Sequence, residues 1–251
     1  MPRALVSFVG AGPGDPELIT LKALRRLREA DAVIHDRLIP LAVLDEVRSG
    51  AEIMDVGKAP GRPCAGQGHI NWMIVDAARR HRRVVRLKGG DPGIFGRLAE
   101  EVDAVRAAGL AFEIVPGVTA ATAAAARAGI SLTERGSAST VILATGTSQN
   151  GDLDWDFLAH VEGTLVFYMP VASLDAITSA LTMLGRDARE PALIVEGAGT
   201  CDERVIAARL GEIADRAREA ALRAPALFIT GPTVAAASVP LAVRRVLAAT
   251  G

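Results

Sequence analysis

Ala4-Leu5-Val6-Ser7-Phe8-Val9 followed by Gly10-Ala11-Gly12-Pro13-Gly14-Asp15-Pro16 is a short apolar run closed by a glycine-rich segment. The run has strand length and strand composition. In Glu17–Glu29 beyond it, Leu18, Leu21, Leu24 and Leu27 share one helical face, with Arg25, Arg26 and Arg28 elsewhere. Strand, tight turn and helix make half of a βαβ unit. The glycines permit positive φ and close approach of a ligand. A dinucleotide fingerprint is excluded, because the third glycine falls one place early and Asp15 stands where it belongs. Pro13 removes an N–H that a pyrophosphate would use, and Asp15 would repel it. The loop suits a ligand that is not a diphosphate. By itself it also fits a plain turn in which Asp15 caps a helix.

Outward from this unit the pattern repeats. Strands are expected at Ala32–His35, Glu52–Val56, Arg83–Leu87 and Phe112–Val115, with helices at Ile70–Arg80 and Glu100–Ala108. That is a mostly parallel five-stranded sheet covered on both faces. A second set follows, with strands at Ser139–Ala144, Thr164–Tyr168, Ala192–Glu196, Arg204–Ala208 and Ala226–Thr230. Helices are expected there at Ser173–Leu184 and Glu212–Leu222, and an alanine-rich helix at Ala120–Ala128 closes the first set. Only a glycine-rich turn separates Ala192–Glu196 from Arg204–Ala208, which implies an antiparallel pair and a mixed sheet. The fold class is therefore α/β, with two α/β domains at 1–134 and 135–251; the polar turn-rich segment Gly129–Ser139 marks the boundary.

The chain has 251 residues, half of them apolar, enough for a sizeable core. Aromatic residues make up 4%, too few for a base-stacking platform, and a net charge of −1 offers no global attraction to nucleic acid or anionic membranes. No apolar stretch approaches the length of a membrane span or a signal peptide, so a cytoplasmic location is expected. Cys64 and Cys201 are expected as free thiols. His69, His81 and His160 have no metal-ligand spacing, and no metal is expected.

Ligands of open parallel sheets bind at the carboxyl ends of the strands. Five such ends carry glycine, polar or charged loops: Gly10–Pro16, Asp36-Arg37, Gly57-Lys58, Lys88-Gly89-Gly90-Asp91-Pro92 and Pro116-Gly117-Val118-Thr119. Asp36-Arg37 also reads as a surface pair, and Lys58 as a solvated lysine. Asp91 is suited to face a cationic group such as an ammonium.

These segments carry a resemblance. Val9–Leu24, Asp36-Arg37-Leu38, Val56-Gly57-Lys58, Val84–Pro92, Phe95-Gly96-Arg97 and Val115–Ala120 resemble the tetrapyrrole methylase family, in order, from about Val6 to Gly231. Within it they look most like the branch that methylates uroporphyrinogen III. The resemblance implies a class III methyltransferase of two domains, usually a homodimer, that binds S-adenosylmethionine between them and releases S-adenosylhomocysteine. It places cofactor-binding positions at Pro13, Gly89, Gly90, Asp91, Ile94, Thr119, Ala120, Met169, Ala198 and Ala226. It implies Asp36 as base or charge stabiliser and Lys58 as proton donor or carboxylate clamp. For a carboxylate-rich substrate, Arg37, Arg62, Arg97, Arg127 and Arg135 are the candidate grips. The implied function is conversion of uroporphyrinogen III to precorrin-2 through precorrin-1, on a route to sirohaem or cobalamin. A methylase of a later precorrin and a member that only binds are the alternatives. No nucleic-acid or membrane partner is expected.

The chain departs from the family pattern at His35 (usually Tyr), Pro63-Cys64-Ala65, Gly93, Leu98-Ala99, Glu134 and Thr147. Most of these fall on the side expected for the substrate.

Overall fold

A computed structural model describes residues 4–37, 39–57, 66–147, 153–237 and 244–245. The chain divides into two compact units, Met1–Thr119 and Ala120–Gly251.

The first unit runs β1 (Leu5–Gly10), α1 (Leu21–Glu29), β2 (Ala32–His35), α2 (Leu41–Leu44), β3 (Glu52–Asp55), α3 (Gln67–Arg80), β4 (Arg83–Lys88), α4 (Leu98–Ala107) and β5 (Ala111–Val115). Its sheet has the order β3-β2-β4-β1-β5, with every pairing parallel. The chain moves outward from β1 to β3 and then returns to β4 and β5. Right-handed crossovers made in opposite directions must lie on opposite faces. Accordingly Ala23, Leu27 and Val43 from α1 and α2 pack on Val9, Val33, Val85 and Leu87. Ile74, Ala77 and Val105 from α3 and α4 pack on Val6, Phe8, Ile34 and Val84. Neighbouring β1 and β4 therefore send their chains to opposite faces, which opens the sheet edge at their carboxyl ends.

Glu17–Glu29 is not one helix. Asp15 caps a short 3₁₀ turn at Pro16–Leu18, and Thr20 starts α1 by accepting from Ala23 N–H at 3.2 Å. Only part of the expected leucine face enters the core: Leu27 is buried, together with Ala23, while Leu21 is 84% exposed.

On β5, Glu113 accepts from Ser7 Oγ at 2.8 Å and pairs with Arg26 and with Lys22 at 2.9 Å, tying α1 to the sheet. Hydrogen bonding from Arg26, helped by Lys22 and Ser7, lowers its pKa from the usual 4.5 to about 2 despite partial burial. A depressed carboxylate pKa stabilises the fold above the unfolded pKa and loses that contribution as pH falls through the folded one. Between pH 4.5 and 2 the pair should lose on the order of 2 kcal/mol. Acid unfolding of Glu113→Gln should lack that component.

The second unit contains α5 (Ala120–Ala128), β6 (Val141–Thr145), α6 (Trp155–His160), β7 (Thr164–Tyr168), α7 (Leu174–Met183), β8 (Pro191–Glu196), β9 (Arg204–Arg209), α8 (Ile213–Glu219), β10 (Ala226–Thr230) and β11 (Arg244–Arg245). The sheet order is β11-β9-β8-β10-β7-β6; among the described residues only β6 and β7 pair in parallel. The expected antiparallel pair is β8 with β9, Glu196 opposite Arg204. Leu158, Ile177, Leu181 and Ile213 from α6, α7 and α8 cover Phe167 and Phe228 on one face. On the other, Ala121, Ala124, Ala125 and Ala128 press α5 onto Val166, Leu193, Val195, Leu227 and Ile229. Alanine lets this helix approach closely, which makes α5 part of the second unit and puts the division ahead of the expected 134/135. Among the described residues no helix is long and apolar enough to cross a membrane.

Candidate functional site

Three glycine loops interlock at the edge of the first sheet, where β4, β1 and β5 are neighbours. Gly12 N–H donates to Gly90 O at 3.2 Å and Gly90 N–H to Gly12 O at 2.7 Å. A Cβ on Gly10 would stand 2.6 Å from Gly90 O, and one on Gly117 would stand 2.3 Å from the same oxygen. Only glycine fits either position. Asp91 bridges two loops: Oδ1 accepts from Gly93 N–H at 2.8 Å and Oδ2 from Gly117 N–H at 3.0 Å. The carboxylate expected to face a cation is thus also a brace for the loop, on a residue that is partly exposed and whose oxygens can each accept more than one hydrogen bond. At Gly89, by contrast, a Cβ would meet nothing within 4 Å. Exposed Gly89 and the partly exposed Pro13, Gly90, Asp91, Ile94 and Thr119 therefore lie along one edge around open space. Gly117→Ala should cost about 2–3 kcal/mol of stability, as overpacking does, because backbone must move to admit the methyl group; denaturant unfolding checks this.

Beside these loops a set of charges is buried. Arg86 lies on β4 next to β2, its side chain 2% exposed, and its Nη2 donates to Asp36 Oδ1 at 2.6 Å. Its Nε donates to Glu101 Oε1 at 3.1 Å and its Nη1 to Leu87 O at 3.1 Å. Lys88 Nζ donates to the same Glu101 oxygen at 3.0 Å. Burial, reinforced by the charge of Arg86, pushes the Lys88 ammonium below the usual lysine range, against the pull of Glu101 and Asp36. Asp36 itself is 37% exposed and so reachable from solvent. The sequence pattern singles out neither Arg86 nor Glu101, and Lys88 only as part of its strand-end loop. The available signal was a charged residue inside Val84-Val85-Arg86-Leu87, a run buried on both faces, where an arginine must find a partner.

Arg37 is exposed and packs against Gly57, where a Cβ would come 2.3 Å from Arg37 Cβ. Arg97 caps α4 with φ 54° and holds Glu100 through two 2.7 Å hydrogen bonds. Phe95 is likewise left-handed, and Gly96 between them sits close to Lys88 Cε. Strained backbone of this kind collects at ligand clamps. Lys58 and Arg62 lie outside the described residues, as do Leu38 and Pro63-Cys64-Ala65.

In the second unit, Met169 follows β7 with φ 53° and remains 45% exposed. Thr147 Oγ1 donates to its sulfur at 3.8 Å, and a Cβ on Gly146 would stand 2.9 Å from Met169 O. Strand register sets the other expected positions beside it. Tyr168 pairs with Leu227 and Glu196 with Ala226, while Gly197 N–H donates to Pro225 O at 2.8 Å. Met169, Ala226 and Ala198 therefore occupy the ends of three adjacent strands, β7, β10 and β8. Tyr168 Oη accepts from Ala121 N–H at 3.2 Å and brings the start of α5, with Ala120, to the same place. Arg127 is engaged by Glu203, and Arg135 is exposed in the turn closed by the Glu134–Ala138 bridge. Among the described residues no cluster of His, Cys, Asp and Glu could hold a metal ion, and Cys201 is a free, exposed thiol.

The family profile of Tetrapyrrole (Corrin/Porphyrin) Methylases matches residues 5–214. The chain is 45% identical over 237 residues to a siroheme synthase of Stutzerimonas stutzeri, covering 93% of this chain and 51% of that protein. It is 45% identical over 235 residues to the siroheme synthase of Edwardsiella ictaluri, covering 93% and 50%. The chain thus spans about half the length of these curated relatives. Among solved structures, a uroporphyrin-III C-methyl transferase from Thermus thermophilus complexed with S-adenosylhomocysteine superposes with a TM-score of 0.80 at 43% identity. That match covers 92% of this chain and 93% of the other. A cobalamin biosynthetic enzyme, cobalt precorrin-4 methyltransferase, superposes at 0.83 with 27% identity, covering 92% and 95%.

Proposed function

Because the chain belongs to the tetrapyrrole methylase family, we propose that it is an S-adenosylmethionine-dependent C-methyltransferase converting uroporphyrinogen III to precorrin-2 by way of precorrin-1. The observation that carries this is the near end-to-end match to the Thermus thermophilus uroporphyrin-III C-methyl transferase at 43% identity. Backbone similarity alone does not choose among methylases, since the cobalt precorrin-4 enzyme superposes as well; the choice rests on its lower identity of 27%. A homodimer in the cytoplasm accords with this function.

The residues present fit the cofactor. Open space at Gly89, on a loop of small residues beside Asp91, suits an amino-acid end. The half-exposed side chain of Met169, with Ala198 nearby and the buried Ala226 at the adjoining strand end, offers an apolar surface for an adenine ring. When bound, S-adenosylmethionine supplies an electrophilic methyl group on a sulfonium.

The protein's part is to align an electron-rich ring carbon with that methyl group, exclude water and handle charge and proton. Arg86 fixes Asp36 Oδ1, so the carboxylate sits in a defined orientation at the sheet edge. In that place Asp36 steadies the positive charge that develops on the ring and receives the proton that the ring system then gives up from another of its atoms, the methylated carbon being fully substituted. Lys58 serves as proton donor or carboxylate clamp. Arg37, Arg62, Arg97 and Arg135 grip substrate carboxylates, each able to form two parallel hydrogen bonds.

Side-by-side assays with uroporphyrinogen III and with later precorrins test the substrate. The expected result is label from S-adenosylmethionine in the uroporphyrinogen III reaction; transfer to a later precorrin alone would displace the proposal.

A further inference from the structure

Ala198 stands between Gly197 and Gly199, with φ 62° and 79°, in the turn joining β8 to β9. Most residues avoid that conformation, and glycine gains its freedom at an entropic cost, so the turn needs an anchor to keep one shape. Local bonds hold its base: Thr200 Oγ1 donates to Gly197 O at 2.7 Å, and Gly197 N–H donates to Pro225 O at 2.8 Å. The anchor for its tip is Glu203. Its Oε2 accepts from Gly199 N–H at 2.7 Å and its Oε1 from Arg127 Nε, on α5, at 2.6 Å. The Glu203 side chain is only 2% exposed, and a carboxylate taken that far out of water requires a charged partner. Arg127 supplies the charge from a side chain 49% exposed.

We infer that Glu203 and Arg127 are positioning residues that hold the Ala198 turn in the shape receiving S-adenosylmethionine. Arg127 acts through Glu203 and not by gripping a substrate carboxylate. The inference rests on Ala198 being a cofactor position.

Calorimetric titration of the full chain with S-adenosylhomocysteine is the test. Glu203→Ala is expected to raise Kd about tenfold or more, in line with loss of hydrogen bonds to a charged group. Arg127→Ala should raise it about three- to tenfold, since water reaches its half-exposed place. Arg127→Lys, which restores the charge, should stay within about twofold. In the Glu203→Ala background, Arg127→Ala should add nothing, the signature of two residues acting as one unit. Should Glu203→Ala not fold, the Arg127→Ala and Arg127→Lys pair decides alone. Kd within about twofold of the parent in both alanine variants would overturn the inference and leave the cofactor assignment standing. So would a raised KM for uroporphyrinogen III in Arg127→Ala with Kd for S-adenosylhomocysteine unchanged. If the parent chain binds no S-adenosylhomocysteine, the cofactor assignment fails and the inference falls with it.

Discussion

Asp36→Ala lowers kcat for methyl transfer by about 10²- to 10⁴-fold, the range that a positioned acid or base contributes, while S-adenosylhomocysteine binding stays close to that of the parent. The expectation follows from where Asp36 stands. It leaves the end of β2, reachable from solvent, with one oxygen held by an arginine that is itself almost fully buried. Asp36→Asn separates charge from shape. Its amide oxygen can still accept from Arg86, so the geometry survives while the negative charge and the basic oxygen are lost. Both variants should therefore be slow. Asn close to parent activity with Ala slow would make Asp36 a strut; full activity in both would remove it from the chemistry. Steady-state kinetics under anaerobic conditions, paired with calorimetric titration of the cofactor product, gives the answer.

Glu101→Ala should destabilise the chain by about 3–5 kcal/mol, the loss seen when one partner of a buried ion pair is removed. Glu101 is the shared acceptor for two buried cations, Arg86 and Lys88. With it gone, both charges face each other in a site that water barely reaches. Breaking such a cluster costs more than the cluster contributed, because the remaining charges stay desolvated. Glu101→Gln keeps one acceptor and should lose less. Denaturant unfolding measures the difference. A loss below about 1 kcal/mol would mean that solvent reaches the cluster, and that Arg86 is not held rigidly enough to orient Asp36.

Most of the fold was legible because its strands are buried on both faces. Runs such as Val84-Val85 and Ala32-Val33-Ile34 announce themselves by apolar content, and Ala32–His35, Thr164–Tyr168 and Ala226–Thr230 are observed at their expected bounds. The expected α/β class and parallel first sheet follow from their alternation with helices. Short elements escaped: α2 has four residues and α6 six, too few to show a helical period. The break before α1 was hidden as well, since Thr20 and Asp15 can each cap a helix and only the folded backbone reveals that both do.

The site was legible in a different way. Glycine loops at strand ends could be seen from local chemistry, and the structure explains them by the close packing of Gly10, Gly90 and Gly117. Met169, Ala198 and Ala226 could not; by residue type Met169 and Ala226 read as core, and only the resemblance singles out all three. Their placement at neighbouring strand ends depends on antiparallel register, which no local pattern encodes. The partners of Arg127 and Arg86 were invisible for the same reason, since Glu203 and Glu101 are brought to them by tertiary packing.

The most direct measurement is an anaerobic time course of the purified chain with labelled S-adenosylmethionine and enzymatically generated uroporphyrinogen III, read by label in the tetrapyrrole and by product mass. The account predicts a monomethylated species that rises and falls as a dimethylated product accumulates. Binding of S-adenosylhomocysteine without any label reaching the tetrapyrrole would contradict it.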